Sequence, residues 1–346
     1  MTITPTRRSL VAAAALFAAF GFGSTANAQD FVLKLHQFLP AQAPVPAGVL
    51  VPWMAKVEQE SGGRIKFEHY PAMQLGGPPG GLIDQVIDGV ADVVWTLPGY
   101  TPGRFPRTEV MELPFMITNA EASSRAFWEL GEKYMLDTEF KDVKVIGLWN
   151  HGPGLIHSKT PITSPDDLKG VKLRAPTRVT NMMVSALGAT AVGMPVPAVT
   201  ESLSKGVIDA TIIPWEVTAS LKSSELVKNH TEFPSAPLYT SSFVLAMNKD
   251  VYNRMPDDLK AVIDANSGAD FSANAGKVSQ DADAPAREIA IGLGNTIIEL
   301  TPAQIEPWKA GAQGTIDAWI ADSAKAGFDG QALVNEARDL IAKYTK

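Results

Sequence analysis

"GVKLRAPTRVTNMMVSALGATAVGMPVPAVTESLSKGVIDATIIPW", residues 170–215, decides the fold. GVKLRAP reads as a strand, TRVTNMMVSALG as a helix stopped at Gly188, and ATAVGMP as a second strand. PAVTESLSKG is then a helix ending at Gly206, and VIDATIIPW a third strand. Strands separated this regularly by helices specify a mainly parallel α/β layer, since a parallel neighbour needs a crossover and a helix supplies it. The same stretch places Arg174 between a buried strand and Pro176. Arginines belong mostly at the surface, in salt bridges or snorkelling from strand ends. The sharper alternative is that Arg174 points into a cleft and grips an anion.

Outward from this stretch the pattern continues. DFVLKLHQFLP is a strand ended by Pro40, and PVPAGVLVPWMAKVEQESGG a helix stopped by Gly62 and Gly63. RIKFEHY alternates as a strand, and GGLIDQVIDGVADVVWTLPGY gives a helix, a glycine stop and a buried strand. Gly89, Val90 and Asp92 recur as Gly206, Val207 and Asp209, which suggests two lobes of similar construction. Ser164 is placed to cap a helix that begins with Pro165, Asp166 and Asp167. Residues 144–162 read as a strand, a Gly/Pro break and a second strand. LYTSSFVLAMNKDVYNRMP is strand-like and turns helical near Asp250. A chain crossing between lobes at both places makes a hinge. The expected division is a first lobe over 29–150, with part of 239–290 returning to it, and a second over 151–238. A helical segment over 291–346 packs across both, with a fresh start at Thr301, Pro302 and Gln304.

Composition narrows the class. The chain has 346 residues, 45% hydrophobic and 19% charged, with a net charge of −7 and no cysteine. It is globular, with length for a full core. Acidic balance without a basic run argues against nucleic acid and anionic membrane surfaces. Disulfides, thiol catalysis and thiolate metal sites are excluded. Residues 1–28 form a signal peptide: Arg7 and Arg8, the apolar VAAAALFAAFGFG, and ANA ending at Ala28. TRRSLV fits a twin-arginine export signal, although ordinary signals carry adjacent arginines as well. Cleavage after Ala28 leaves a periplasmic chain with no later apolar run long enough for a membrane span. His36, His69, His151, His157 and His230 show no metal-ligand spacing. Nucleophile elbows, phosphate loops and dinucleotide fingerprints are absent; GGPPGG (76–81) has prolines where a phosphate nest needs donors. No cofactor, metal or catalytic residue is expected, and a hydrolytic enzyme is the weakest reading.

Several separated blocks occur together: KLHQFLP, GGRIKFEHYPAMQLGG, ELPFMI, SPDDLKGVKLRAP, ALGATAVGMPVPAVTESLSKGVIDATIIP and FVLAMNKDVYNRMP. In this order they resemble the substrate-binding proteins of tripartite ATP-independent periplasmic (TRAP) transporters, the DctP-like family. The resemblance implies a two-lobed periplasmic receptor fold of α/β class, with hinge strands and a ligand cleft between the lobes. It implies a receptor that closes on a small organic acid and delivers it to a pair of membrane permease subunits. It also implies that Arg174, the arginine of the R-x-P block, binds the ligand carboxylate. A guanidinium fork matches a carboxylate in bidentate geometry, and Pro176 stiffens the turn behind it.

The chain departs from polar-ligand members of that family at two places. Sugar-acid members often carry a second arginine in the hinge strand, where this chain has Gly154. Many have an asparagine before the proline that ends the "GVxD" strand; here it is Ile213. Both changes remove polar handles, favouring a monocarboxylate with an apolar or aromatic body over a sugar acid or dicarboxylate. Further pocket candidates at strand ends are Phe38, Trp95, Tyr100, Trp149, His151, His157, Trp215, Glu216 and Tyr239. Any one aromatic serves equally as core. His151 and Glu216 are placed to fix a ring hydroxyl, unless Glu216 simply pairs with Arg178. Alternatives that remain are a ligand-sensing module for a membrane receptor and a receptor for a polar sugar acid.

Overall fold

A computed structural model describes residues 30–345. The expected signal peptide and its cleavage after Ala28 lie outside the described residues. The strands are β1 (Phe31–Gln37), β2 (Ile65–Tyr70), β3 (Val93–Thr96), β4 (Val143–Asn150), β5 (Gly154–Ser158) and β6 (Lys172–Ala175). They continue as β7 (Thr190–Gly193), β8 (Ala210–Pro214), β9 (Asn229–Glu232), β10 (Ser242–Asn248) and β11 (Thr296–Glu299). They form two sheets, in the order β2-β1-β3-β10-β4 and β11-β9-β5-β8-β6-β7.

Each sheet is built around the same unit. β1 pairs in parallel with β2 and β3, and β6 pairs in parallel with β7 and β8. The repeated glycine, valine and aspartate explain this likeness. Asp92 donates its N–H to the Lys34 carbonyl at 3.0 Å and accepts the Lys34 N–H on Oδ2 at 2.8 Å. Asp209 makes the same pair with Lys172, at 2.8 and 3.1 Å. Each aspartate thereby fixes where its strand joins the sheet.

The sheets are mixed rather than mainly parallel. β5 runs antiparallel to β8 and β9, and β10 antiparallel to β3 and β4. The cause is the route of the chain. β4 runs toward the cleft and continues directly into β5 of the other sheet, which must then run away from the cleft. β9 and β10 repeat this in reverse. A strand that arrives without a crossover helix enters antiparallel.

Later segments tie the two lobes together. Helix Ala269–Asp281 packs on helix Ala120–Tyr134 and β4, whereas Asp283–Gly292 packs on Trp215–Leu221. The helix Pro302–Lys325 lies on Arg178–Ala186, and Gly330–Tyr344 lies on Ala120–Tyr134. The segment over 291–346 is not helical throughout, because Thr296–Glu299 adds β11 to the edge of the second sheet. Four residues are too short to announce a strand by alternation. Across the cleft, the Val196 N–H donates to the Tyr100 hydroxyl at 3.0 Å, and Arg178 forks onto Glu109 at 3.0 and 2.6 Å. The lobes are closed upon each other.

At the crossing segments, the Gly154 N–H donates to the Tyr239 carbonyl at 2.9 Å, and the Tyr239 ring lies flat against the glycine. A Cβ on Gly154 would stand 2.1 Å from Tyr239 Cε1. That contact can only be relieved by moving a fully buried ring. Gly154→Ala is therefore expected to destabilise the fold by about 1–3 kcal/mol. Urea denaturation checks it, and a midpoint equal to that of the parent protein would contradict the close approach.

Candidate functional site

Where strands of both sheets end at the cleft, they surround a tight cavity of about 30 Å³. Phe38 enters from the residue after β1, and Trp95 and Tyr100 from β3 and the turn after it. Arg174 comes from β6, Ile213 from β8, and Glu216 from the helix that β8 feeds. His151 and Tyr239 come from the two crossing segments. Strand ends converge here because both lobes aim the same strand direction at the cleft.

Arg174 is 1% exposed. Its Nε donates to the Met194 carbonyl at 2.9 Å and its Nη1 to the Ile212 carbonyl at 3.2 Å. These bonds hold the guanidinium plane, but Nη2 has no partner. Among the described residues no carboxylate forms an ion pair with Arg174. Burial pulls its pKa down, partly offset by the nearby Tyr100 and Tyr239 phenols. A buried cation without a counter-ion is costly unless an anion completes it.

The opposite wall is aromatic. Phe38 stacks on Trp95 with centroids 4.6 Å apart and meets Tyr100 edge-on at 5.8 Å. His151 touches Tyr239 and Phe243 edge-on at 5.4 and 5.9 Å. Its Nδ1 donates to the Gly152 carbonyl at 2.6 Å, while Nε2 accepts the Ser241 N–H at 3.0 Å. Both nitrogens are therefore occupied. Burial lowers its pKa to about 4, leaving a neutral ring as wall.

Three expected pocket residues are elsewhere. Trp149 lies behind Trp95, its ring nearly parallel and 6.1 Å away, as a second layer of core. Strand β4 is buried on both faces, so its sequence carried no sign of which side met the cleft. His157 sits inside the second lobe, its Nδ1 2.7 Å from His230 Nδ1 and its Nε2 3.2 Å from the Ile213 carbonyl. Since a carbonyl only accepts, His157 Nε2 carries the proton, His230 Nδ1 donates to His157, and Asn295 donates to His230 Nε2 at 3.0 Å. Burial and the neighbouring His230 push the His157 pKa well below 6.5. Trp215 packs on these imidazoles and sends its Nε1–H to Glu232 at 2.7 Å, facing away from the cavity.

Glu216 does not pair with Arg178, whose partners are Glu109 and Asp322. Its backbone N–H donates to Asp283 Oδ1 at 2.9 Å, but its carboxyl Oε2 is buried without a partner. Burial, then the charge of Asp283, raises its pKa well above the carboxylate range. Glu112, under the Ser242 N–H at 2.9 Å, is raised by burial to about 8. Both are neutral acids at pH 7. Sequence reasoning missed the wall residues Val196, Val217 and Phe243. Phe243 stands in β10, an uninterrupted buried strand that gives no facing signal. Among the described residues no group of side chains could hold a metal ion.

A TRAP solute-binding protein from Rhodoferax ferrireducens, solved with copurified benzoate, is 51% identical. It superposes with a TM-score of 0.89 over 90% of this chain and 98% of that one. A marine metagenome TRAP solute-binding protein specific for aromatic acid ligands, solved with 3-hydroxybenzoate, is 48% identical. Its TM-score is 0.89 over 91% and 99% of the two chains. The outer membrane transporter protein TsaT of Comamonas testosteroni is 29% identical over 94% of this chain and 95% of its own. Residues 35–322 match the bacterial extracellular solute-binding protein family 7, DctP, and the chain belongs to that family.

Proposed function

We propose that this protein is the periplasmic receptor for a small aromatic monocarboxylate, which it passes to the membrane permease of a TRAP transporter. The observation that carries the reading is the buried Arg174, held by two carbonyls with Nη2 unpaired at the wall of a closed aromatic cavity. One guanidinium calls for one carboxylate. The facing Phe38 and Trp95 rings suit an aromatic body. Gly154 leaves no second cation there, since the Tyr239 ring fills the space. The benzoate and 3-hydroxybenzoate held by the two solved relatives support the same ligand class.

Arg174→Ala is expected to weaken benzoate binding at least about 30-fold, since it removes one member of a buried charge pair. The empty protein should melt no earlier than its parent, because the substitution deletes an uncompensated buried charge. Arg174→Lys should recover little, lacking the planar fork. Calorimetry and thermal melting on the same samples check this. Normal benzoate affinity in the alanine variant would refute the reading. A thermal-shift panel of benzoates, arylacetates, branched aliphatic acids, dicarboxylates and sugar acids tests the ligand class, and stabilisation by sugar acids or dicarboxylates alone would overturn it.

The neutral acids set the pH response. Glu112 releases its proton at about 8 in the folded protein and near 4.5 when unfolded. Between these values the native state holds the extra proton, so stability falls as pH rises, by about 1.4 kcal/mol per unit for one such group. The buried histidines oppose this trend until about pH 7.5, because the unfolded chain still binds protons on them around the reference value of 6.5. Glu112→Gln keeps an acceptor for Ser242 and should make stability fall less with pH than it does in the parent between pH 6.5 and 8. Urea midpoints across that range measure it; an unchanged slope would exclude Glu112 as the source.

A further inference from the structure

We infer that Glu216 selects among aromatic acids by hydrogen-bonding a hydroxyl group on the ligand ring. The inference rests on the aromatic-monocarboxylate reading above and adds a second, uncharged subsite to it. Three buried polar atoms on the cavity residues lack partners: Arg174 Nη2, Trp95 Nε1 and Glu216 Oε2. The first two are donors. Glu216 alone of these three offers an oxygen, and its side chain makes no hydrogen bond to any described residue. His151 spends both nitrogens on Gly152 and Ser241, and the remaining polar groups of the lining are the Tyr100, Tyr239 and Ser241 hydroxyls. The Tyr100 oxygen accepts the Val196 N–H.

The two subsites are separate. Arg174 and Glu216 belong to neighbouring strands, β6 and the helix start after β8, yet no ion pair joins them within 4.0 Å. The inference places the ligand carboxylate on Arg174 and a substituent of its ring at Glu216. Asp283 stands behind Glu216 and accepts its backbone N–H. A second ligand carboxylate placed here would meet the Glu216 carboxyl and no cation, which disfavours a dicarboxylate. A carboxyl kept neutral by this environment both donates and accepts, as a hydroxyl does. An unsubstituted ring leaves the buried carboxyl unsatisfied, and a site built for a hydroxyl discriminates strongly against the analogue without it.

Calorimetry at pH 7 tests this with benzoate, the three hydroxybenzoate isomers and the three methoxybenzoates. For the parent protein, at least one hydroxybenzoate should bind about tenfold or more tighter than benzoate, and its methyl ether should lose that gain. Glu216→Leu should abolish the gain of the hydroxybenzoate over benzoate when both are measured on that variant, and Glu216→Gln should retain part of it. The methyl-ether comparison needs no variant, and a methyl ether that binds as tightly as its hydroxybenzoate overturns the hydroxyl subsite even if Glu216→Leu fails to fold. Equal binding of benzoate and all hydroxybenzoates, or a hydroxyl preference that survives Glu216→Leu, overturns the role of Glu216 and leaves the monocarboxylate reading standing. Failure of every acid to bind, benzoate included, overturns both.

Discussion

An unpaired guanidinium inside a closed protein is the constraint to which the rest of the site answers. Arg174 is buried on β6 with two of its donors fixed on the Met194 and Ile212 carbonyls. Those bonds orient the fork but do not neutralise it, and under the proposed function the ligand carboxylate is what would. Nearby acids do not compete for the role. Glu112 and Glu216 are held neutral by burial, which leaves the positive charge unopposed. A carboxylate nearer the arginine would have converted the site into an internal salt bridge.

The backbone that orients Arg174 is itself braced from behind. The carbonyl of Ile213, next to the Ile212 carbonyl that receives Nη1, accepts the proton of His157. His157 accepts from His230, which accepts from Asn295. Each member has one assigned role, and the direction of donation is uniform along the chain. Both imidazoles must be neutral for it to hold, and burial keeps His230 so down to about pH 4. His157 and Trp215 thus support the strand end rather than contact a ligand.

This explains what could and could not be read from the residues. The repeated turn at Gly89 and Gly206 announced two related units because its aspartates bond to backbone one strand away, a local pattern that survives in sequence. Arg174 was legible because a charged residue ending a buried strand, followed by proline, has few structural excuses. The aromatic wall was legible only at strand ends, where Phe38, Trp95, Tyr100 and Tyr239 line the cavity. β4 and β10 are buried on both faces, so Trp149 and Phe243 give no periodicity from which to choose a side. His157 was misread because its partner is 73 residues away. The antiparallel entry of β5 and β10 depended on where the chain crosses the cleft, which neither propensity nor pattern encodes.

Closure of the lobes follows from a balance between the rim and the interior. At the rim, Arg178 on the second lobe forks onto Glu109 on the first, and Trp319 and Asp322 of the long C-terminal helix complete the group. The Tyr100–Val196 hydrogen bond adds another link across the cleft. These contacts favour the closed form whether or not the cavity is filled. Inside, closure desolvates Arg174 without supplying a counter-ion. The two effects oppose each other, so the closed state of the empty protein carries a penalty that a carboxylate removes. A ligand shifts such an equilibrium only by its differential affinity for the two forms. The guanidinium supplies that difference. Ligands that cannot neutralise it would fill the same space without drawing the lobes together.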